Sequence, residues 1–109
     1  DKATVAQVFL KRLREGIPLG ADPTAVYASV LAGAEPSVAI DSPYNTRIYK
    51  GLPPGPIGNV SVLALQALVN PAKTDYLFFV AGDDGKTHFS RTQAEHEALT
   101  EQYCKKLCQ

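Results

Sequence analysis

Between residues 34 and 60 the chain carries five of its eight prolines, Pro36, Pro43, Pro53, Pro54 and Pro56, together with three of its eight glycines. Proline fixes φ and removes a backbone donor, and glycine removes the steric guidance of a Cβ, so neither a long helix nor a central strand survives there. Only a short strand over Thr46 to Tyr49 is expected inside it. A segment of that length without regular structure is either functional or disordered. Composition argues against disorder: 45% of the 109 residues are hydrophobic and 20% are charged, which is ordinary for a domain with a core. The segment therefore reads as a shaped loop on an ordered scaffold.

Lysine plus arginine number 11, as do aspartate plus glutamate, so there is no basic excess of the kind that nucleic acid or an anionic membrane surface demands. Nucleic acid is accordingly not an expected partner. The longest apolar run, Tyr76 to Ala81, is far short of the roughly 20 residues of a membrane span, and no signal-peptide pattern opens the chain. There is no methionine, and Asp1 already stands inside a helical pattern. The chain thus reads as a piece of something longer.

Around the loop the periodicities are clear. Val5, Val8, Phe9 and Leu13 form one helical stripe over Lys2 to Glu15, stopped by Gly16. Asp22 as cap and Pro23 at the first helical position open a second helix that runs to Gly33. A third spans Val60 to Val69, capped by Asn59 or Ser61 and stopped at Asn70-Pro71. Tyr76 to Ala81 is β-rich and uniformly apolar, as in a strand covered on both faces. Asp83-Asp84-Gly85 turns it into a second strand at Thr87 to Ser90. Ser90 and Gln93 suit a capping box for a last helix to about Leu107. The fold class is α+β: helices packed on a small antiparallel hairpin, with Phe9, Leu65, Leu77 and Phe79 buried.

Few chemical constellations stand out. Cys104 and Cys108 are four apart, a spacing that disfavours a disulfide on a helix, so free thiols are expected. His88 and His96 are the only histidines; a structural or surface role suits each, and no metal site is expected. Gly51 to Gly58 lacks the Gly-Lys-Ser/Thr ending of a phosphate loop, and its prolines remove the donors a phosphate needs. It offers stiffness instead. Just before it, Ser42-Pro43-Tyr44-Asn45-Thr46 sets an aromatic ring among small polar groups, a combination that suits sugar recognition and equally suits turn formation and packing. Glu35 and Asp41 flank the segment, and spacing alone singles out neither as a general acid.

Five motifs in series carry a resemblance: "VAQVFLKRL" (Val5 to Leu13), "PLGADPTAVY" (Pro18 to Tyr27), "DSPYNT" (Asp41 to Thr46), "KGLPPGPI" (Lys50 to Ile57) and "LVNPAKTDYLFFVAGDDGKTHFSRTQAEH" (Leu68 to His96). Their order and spacing resemble the YceG-like endolytic murein transglycosylases, also labelled aminodeoxychorismate lyase-like, over nearly the whole chain. The resemblance implies that residues 1–109 are the C-terminal portion of a catalytic domain in a membrane-anchored bacterial lyase of the cell wall. Its catalytic part would face outward from the cytoplasmic membrane, while the present chain would be soluble. The implied substrate is the glycan strand of peptidoglycan, with proteins of cell-wall synthesis as further partners, and no cofactor. Pyridoxal phosphate, which the older label suggests, needs a phosphate cradle, and Lys50, the one loop lysine beside a glycine, has none.

In that family one glutamate, upstream of the segment matching "VAQVFLKRL", does the proton work. It would precede Asp1, so no catalytic residue is expected in this chain, which should be inactive by itself. The resemblance and the stiffness of the loop imply a substrate-binding set of Asp22, Thr24, Tyr44, Asn45, Thr46, Pro53, Pro54 and Gly55. As a ligand contact, Asn45 should tolerate replacement by alanine without loss of stability. Apolar surface left uncovered beside the first helix is expected to promote self-association. The alternative from another class is a non-catalytic glycan-binding or scaffold domain of cell-wall synthesis.

Overall fold

Among the described residues, four helices and one two-stranded antiparallel hairpin follow in the order α1 (Lys2–Glu15), α2 (Asp22–Leu31), α3 (Val62–Val69), β1 (Phe78–Ala81), β2 (Thr87–Ser90) and α4 (Gln93–Tyr103). The structure is a computed structural model that describes residues 2–106. The chain divides into two units: the first takes residues 2–11 and 61–106 of the described chain, the second residues 12–60. The mixed α+β class expected from the periodicities is what forms. Among the described residues, no helix is long and apolar enough to cross a membrane.

The first unit is organised by strand alternation. Phe79 lies opposite Phe89 in the hairpin register, and Phe9 of α1 meets Phe79 edge to face, with centroids 5.4 Å apart at 89°. Phe78, one residue away, points to the other face and stacks on His96 of α4 at 5.1 Å. The hairpin therefore carries α1 on one face and α4 on the other, as period-two geometry requires. The strand is shorter than the apolar run: Tyr76 and Leu77 precede it, and of Tyr76 to Ala81 only Val80 is buried, while Leu77 and Phe79 are half-buried. Leu65 stays 48% exposed, against expectation, because only Ala67 of α3 turns fully inward. Ser61 caps α3 by accepting a bond from the Ala64 N–H at 3.1 Å.

A buried amide joins α1 to the chain leading into β1. Gln7 donates from Nε2 to the Tyr76 carbonyl at 3.0 Å, and its Oε1 accepts from the Tyr76 N–H at 3.1 Å and the Thr74 hydroxyl at 3.0 Å. Lys11 Nζ adds a bond to the Asp75 carbonyl at 2.8 Å. This fixes where the strand begins.

At the other end of the hairpin, Gly82 lies where a Cβ would fall 2.5 Å from Asp84 Oδ1 and 3.1 Å from the His88 ring, so a side chain there would push the Asp84 carboxylate off its bond to His88. His88 stacks on Tyr103 with centroids 3.8 Å apart. Asp83 Oδ2 accepts the N–H groups of Lys105 and Lys106 at 2.8 and 3.0 Å, which ties the turn to the end of α4.

Two expectations are corrected here. The capping box belongs to Thr92 and Glu95, since Ser90 is paired with Phe78 in the hairpin and cannot open a helix. Cys104 is disulfide-bonded, not a free thiol. Helix α4 ends at Tyr103 and Cys104 has φ −122 and ψ 64, so the helical spacing argument does not govern it. Cys108 lies outside the described residues.

Two outcomes follow. Gln7→Leu removes both halves of the amide and leaves the Tyr76 N–H and carbonyl without those bonds; urea denaturation is expected to show a loss of about 1–3 kcal/mol with an unchanged m-value. The second concerns acid. The Glu95 carboxyl is held below its ordinary pKa by the Arg91 backbone N–H and by the Thr92 hydroxyl and backbone, and Asp75 likewise by Arg91. Groups depressed in this way stabilise the fold above their unfolded pKa of about 4 and lose that contribution as pH falls through the folded value. Both are exposed, so the effect is small; Glu95→Gln should flatten the fall in melting temperature below about pH 4.

Candidate functional site

The expected loop site lies in the second unit, and its frame is a set of buried hydroxyls. The Ala21 backbone and the first turn of α2 present Thr24, whose hydroxyl donates to the Ala21 carbonyl at 2.6 Å and pairs with the Thr46 hydroxyl at 2.8 Å. The Thr46 hydroxyl also accepts the Ala21 N–H at 2.9 Å, and the Gly20 N–H donates to the Thr46 carbonyl at 3.0 Å. Gly20 has φ +63 and an added Cβ would sit 3.2 Å from Arg12 Nη1. Arg12 itself donates to the carbonyls of Pro18 and Leu19 at 3.1 and 3.0 Å, and burial lowers its pKa from the ordinary arginine value. The "PLGADPT" segment is thereby pinned against "SPYNT".

Asn45 completes the frame. Its Nδ2 donates to the carbonyls of Val38 and Ile40 at 3.2 and 2.7 Å, and its Oδ1 accepts the Arg47 N–H at 3.0 Å. Its carbonyl accepts from the Ile48 and Tyr49 N–H groups. Residues 46–49 are consequently a turn, and the short strand expected there does not form.

Asn45 is 0% exposed and Thr46 1%, and Thr24 is buried as well. These three shape the loop from inside and have no free face for a ligand. Outward lie Asp22, Tyr44 and the Pro-rich brace. Tyr44 is half-buried; its ring is 5.1 Å from that of Tyr27, tilted by 53°. A Cβ on Gly55 would come 3.3 Å from the Tyr44 hydroxyl, so the brace meets the tyrosine at a residue without a side chain. Pro53 is half-buried and Pro54 exposed.

Asp22 does not cap α2. Ala21 occupies the cap position without a side-chain bond, and the Asp22 carboxylate takes the Arg47 Nε at 2.5 Å instead. Asp41 accepts the Tyr49 hydroxyl at 2.6 Å, which raises the Tyr49 pKa through that bond and through repulsion of a phenolate. Arg47 and Tyr49, which the sequence reading did not single out, are the partners of these two acids. Their signal was present: a charge-bearing run directly after a motif of small polar residues.

Among the described residues no three of His, Cys, Asp and Glu gather as metal ligands. Asp22 and Asp41 are exposed and bonded, an arrangement that fixes a loop. A groove of about 710 Å³ lies instead in the first unit, lined by Lys2, Ala3, Asn70 and residues of α3 such as Val62, Leu63 and Val69; that lining holds no aspartate, glutamate or histidine for proton transfer.

The YceG-like family model matches residues 1–102. The chain belongs to the YceG-like family. A relative from Bacillus subtilis (strain 168), named endolytic murein transglycosylase, is 41% identical over 109 residues, covering 94% of this chain and 29% of the relative. One of the same name from Streptococcus pneumoniae serotype 2 (strain D39 / NCTC 7466) is 35% identical over 106 residues, covering 89% of this chain and 19% of the relative. A crystal structure of a YceG-like protein from Listeria monocytogenes superimposes with a TM-score of 0.77 at 42% identity, over 87% of this chain and 32% of that one. The YceG-like chain described here thus spans under a third of the length of each of these proteins.

The buried amide reverses the expectation for Asn45. Asn45→Ala strips the carbonyls of Val38 and Ile40 and the Arg47 N–H of their partner, and is expected to destabilise the fold by about 1–3 kcal/mol, read by thermal or urea unfolding. Unaltered stability would return Asn45 to the list of ligand contacts.

Proposed function

We propose that this chain forms the loop wall of a peptidoglycan-cleaving site, as part of a lytic murein transglycosylase anchored at the outer face of a bacterial cytoplasmic membrane. The observation that carries the reading is the family match over residues 1–102, joined to relatives named endolytic murein transglycosylase. The second unit supplies what a glycan wall needs. Tyr44 offers part of an aromatic face for a sugar ring, supported behind by Tyr27 and by Gly55. Thr24, Asn45 and Thr46 fix the backbone that carries that ring, so its loop is set before substrate arrives.

In this reading one glutamate, upstream of Asp1, moves the proton. It protonates the glycosidic oxygen as the C–O bond breaks, releasing one sugar with a free hydroxyl. It then takes the proton from the primary hydroxyl of the other sugar as that oxygen closes on the anomeric carbon, leaving an anhydro ring. Water enters neither step. The chain's own contribution is to orient the strand so that the hydroxyl faces the anomeric carbon.

The test incubates purified glycan strands with the 109-residue chain and with a longer form that includes the upstream sequence, followed by mass detection of anhydro-muramic ends. The longer form is expected to produce them and the chain alone to produce none. Tyr44→Ala in the longer form should lower turnover up to about tenfold, the worth of one aromatic contact, without unfolding it. Products from the short chain would move catalysis to an internal carboxylate such as Glu35. Silence from both would favour a non-catalytic glycan-binding or scaffold role.

A further inference from the structure

We propose that Arg47, set in place by Asp22, is a specificity residue that binds a carboxylate carried on the glycan, and so distinguishes an acid-bearing strand from a neutral one. This rests on the glycan-wall reading and adds the charge of the ligand to it.

The argument starts from the backbone. The Arg47 N–H is held by Asn45 Oδ1 at 3.0 Å, within a turn closed by the Ile48 and Tyr49 N–H groups on the Asn45 carbonyl. Asn45 is completely buried, so the base of the arginine is fixed to the interior of the unit. The far end of the side chain is fixed too, through Nε on Asp22 Oδ1 at 2.5 Å. An arginine normally loses considerable rotamer freedom on binding a ligand; here much of that loss is incurred in folding.

What remains presented is the outer edge of the guanidinium. The Asp22 bond uses Nε and is the one bond the Arg47 side chain makes among the described residues; with that side chain 48% exposed, the edge carrying the two Nη groups is left for a ligand. That edge is a planar fork of donors whose spacing matches the two oxygens of a carboxylate. Arg47 follows Tyr44 by three residues on the same pinned loop. Lys50, exposed, contributes a second cation three residues further on. The nearby acid Asp41 is occupied by the Tyr49 hydroxyl at 2.6 Å. A surface ion pair by itself adds little to stability, which makes the doubly anchored geometry hard to explain as a stability device.

A carboxylate on such a strand has two sources: the lactyl group of a muramic sugar without its peptide, or the peptide itself. The experiment measures affinity of the chain by calorimetry for three ligands: neutral chitotetraose, a peptide-free tetrasaccharide with free lactyl carboxylates, and the same tetrasaccharide bearing its peptides. At least one acidic ligand is expected to bind roughly tenfold tighter than chitotetraose, the worth of one charge-assisted pair, with the advantage shrinking as salt is raised. Whichever acidic ligand shows the advantage identifies the source. Arg47→Gln should erase the advantage while leaving chitotetraose affinity and melting temperature unchanged, and Arg47→Lys should recover only part of it. An advantage that survives Arg47→Gln, or equal affinity for all three ligands, overturns the proposal. Equal affinity that Tyr44→Ala abolishes would leave the glycan wall standing and remove only Arg47. No measurable binding of any ligand would overturn both.

Discussion

Asn45 has no contact with solvent, and an amide in that position must find its partners inside the protein or cost the fold the desolvation of each unpaired atom. It finds three, the carbonyls of Val38 and Ile40 and the N–H of Arg47. Those bonds close the loop on both sides of the "SPYNT" motif, while Thr46 and Thr24 fasten it to the start of α2. Everything the loop shows to solvent takes its position from this interior set. Tyr44 stands where it does because the next two residues face inward and are spent.

The first unit uses the same device with different residues. Gln7 spends its amide on the segment before β1, so α1 sets the start of a strand far along the chain. Aromatic packing then assigns each strand residue a side, with Phe79 on Phe9 and Phe78 on His96. In both units a neutral amide does what an irregular backbone cannot do for itself: it terminates hydrogen bonds that no helix or sheet would satisfy.

The helices and the hairpin were legible because their signals are local. The stripe of Val5, Val8 and Phe9, the cap at Ser61 and the turn at Asp83 to Gly85 each depend on neighbours within one turn of chain. Where two local signals competed, the tertiary structure chose. Ser90 and Thr92 both head a capping pattern, and pairing with Phe78 removed the first. Asp22 looked like a cap until Arg47, distant in sequence, claimed its carboxylate. The apolar run from Tyr76 suggested full burial, yet a two-stranded sheet has too few neighbours to cover it. The site was legible as a region and not as a division of labour. Residue type gave Asn45 and Tyr44 the same promise, and only burial separates the one that builds the loop from the one that faces outward.

The confinement of Asn45 also bears on how the protein ages. Asparagine side chains in flexible loops are lost over time when the backbone nitrogen of the next residue attacks the side-chain carbonyl carbon and ammonia departs. Here that nitrogen belongs to Thr46 and its hydrogen is engaged by the Thr24 hydroxyl at 3.2 Å, while the amide it would attack is clamped at both ends. The ring closure has no room to occur. A loop rich in proline and polar groups would ordinarily be among the first parts of a protein to deteriorate. This one has Asn45 sealed by the bonds that give it shape.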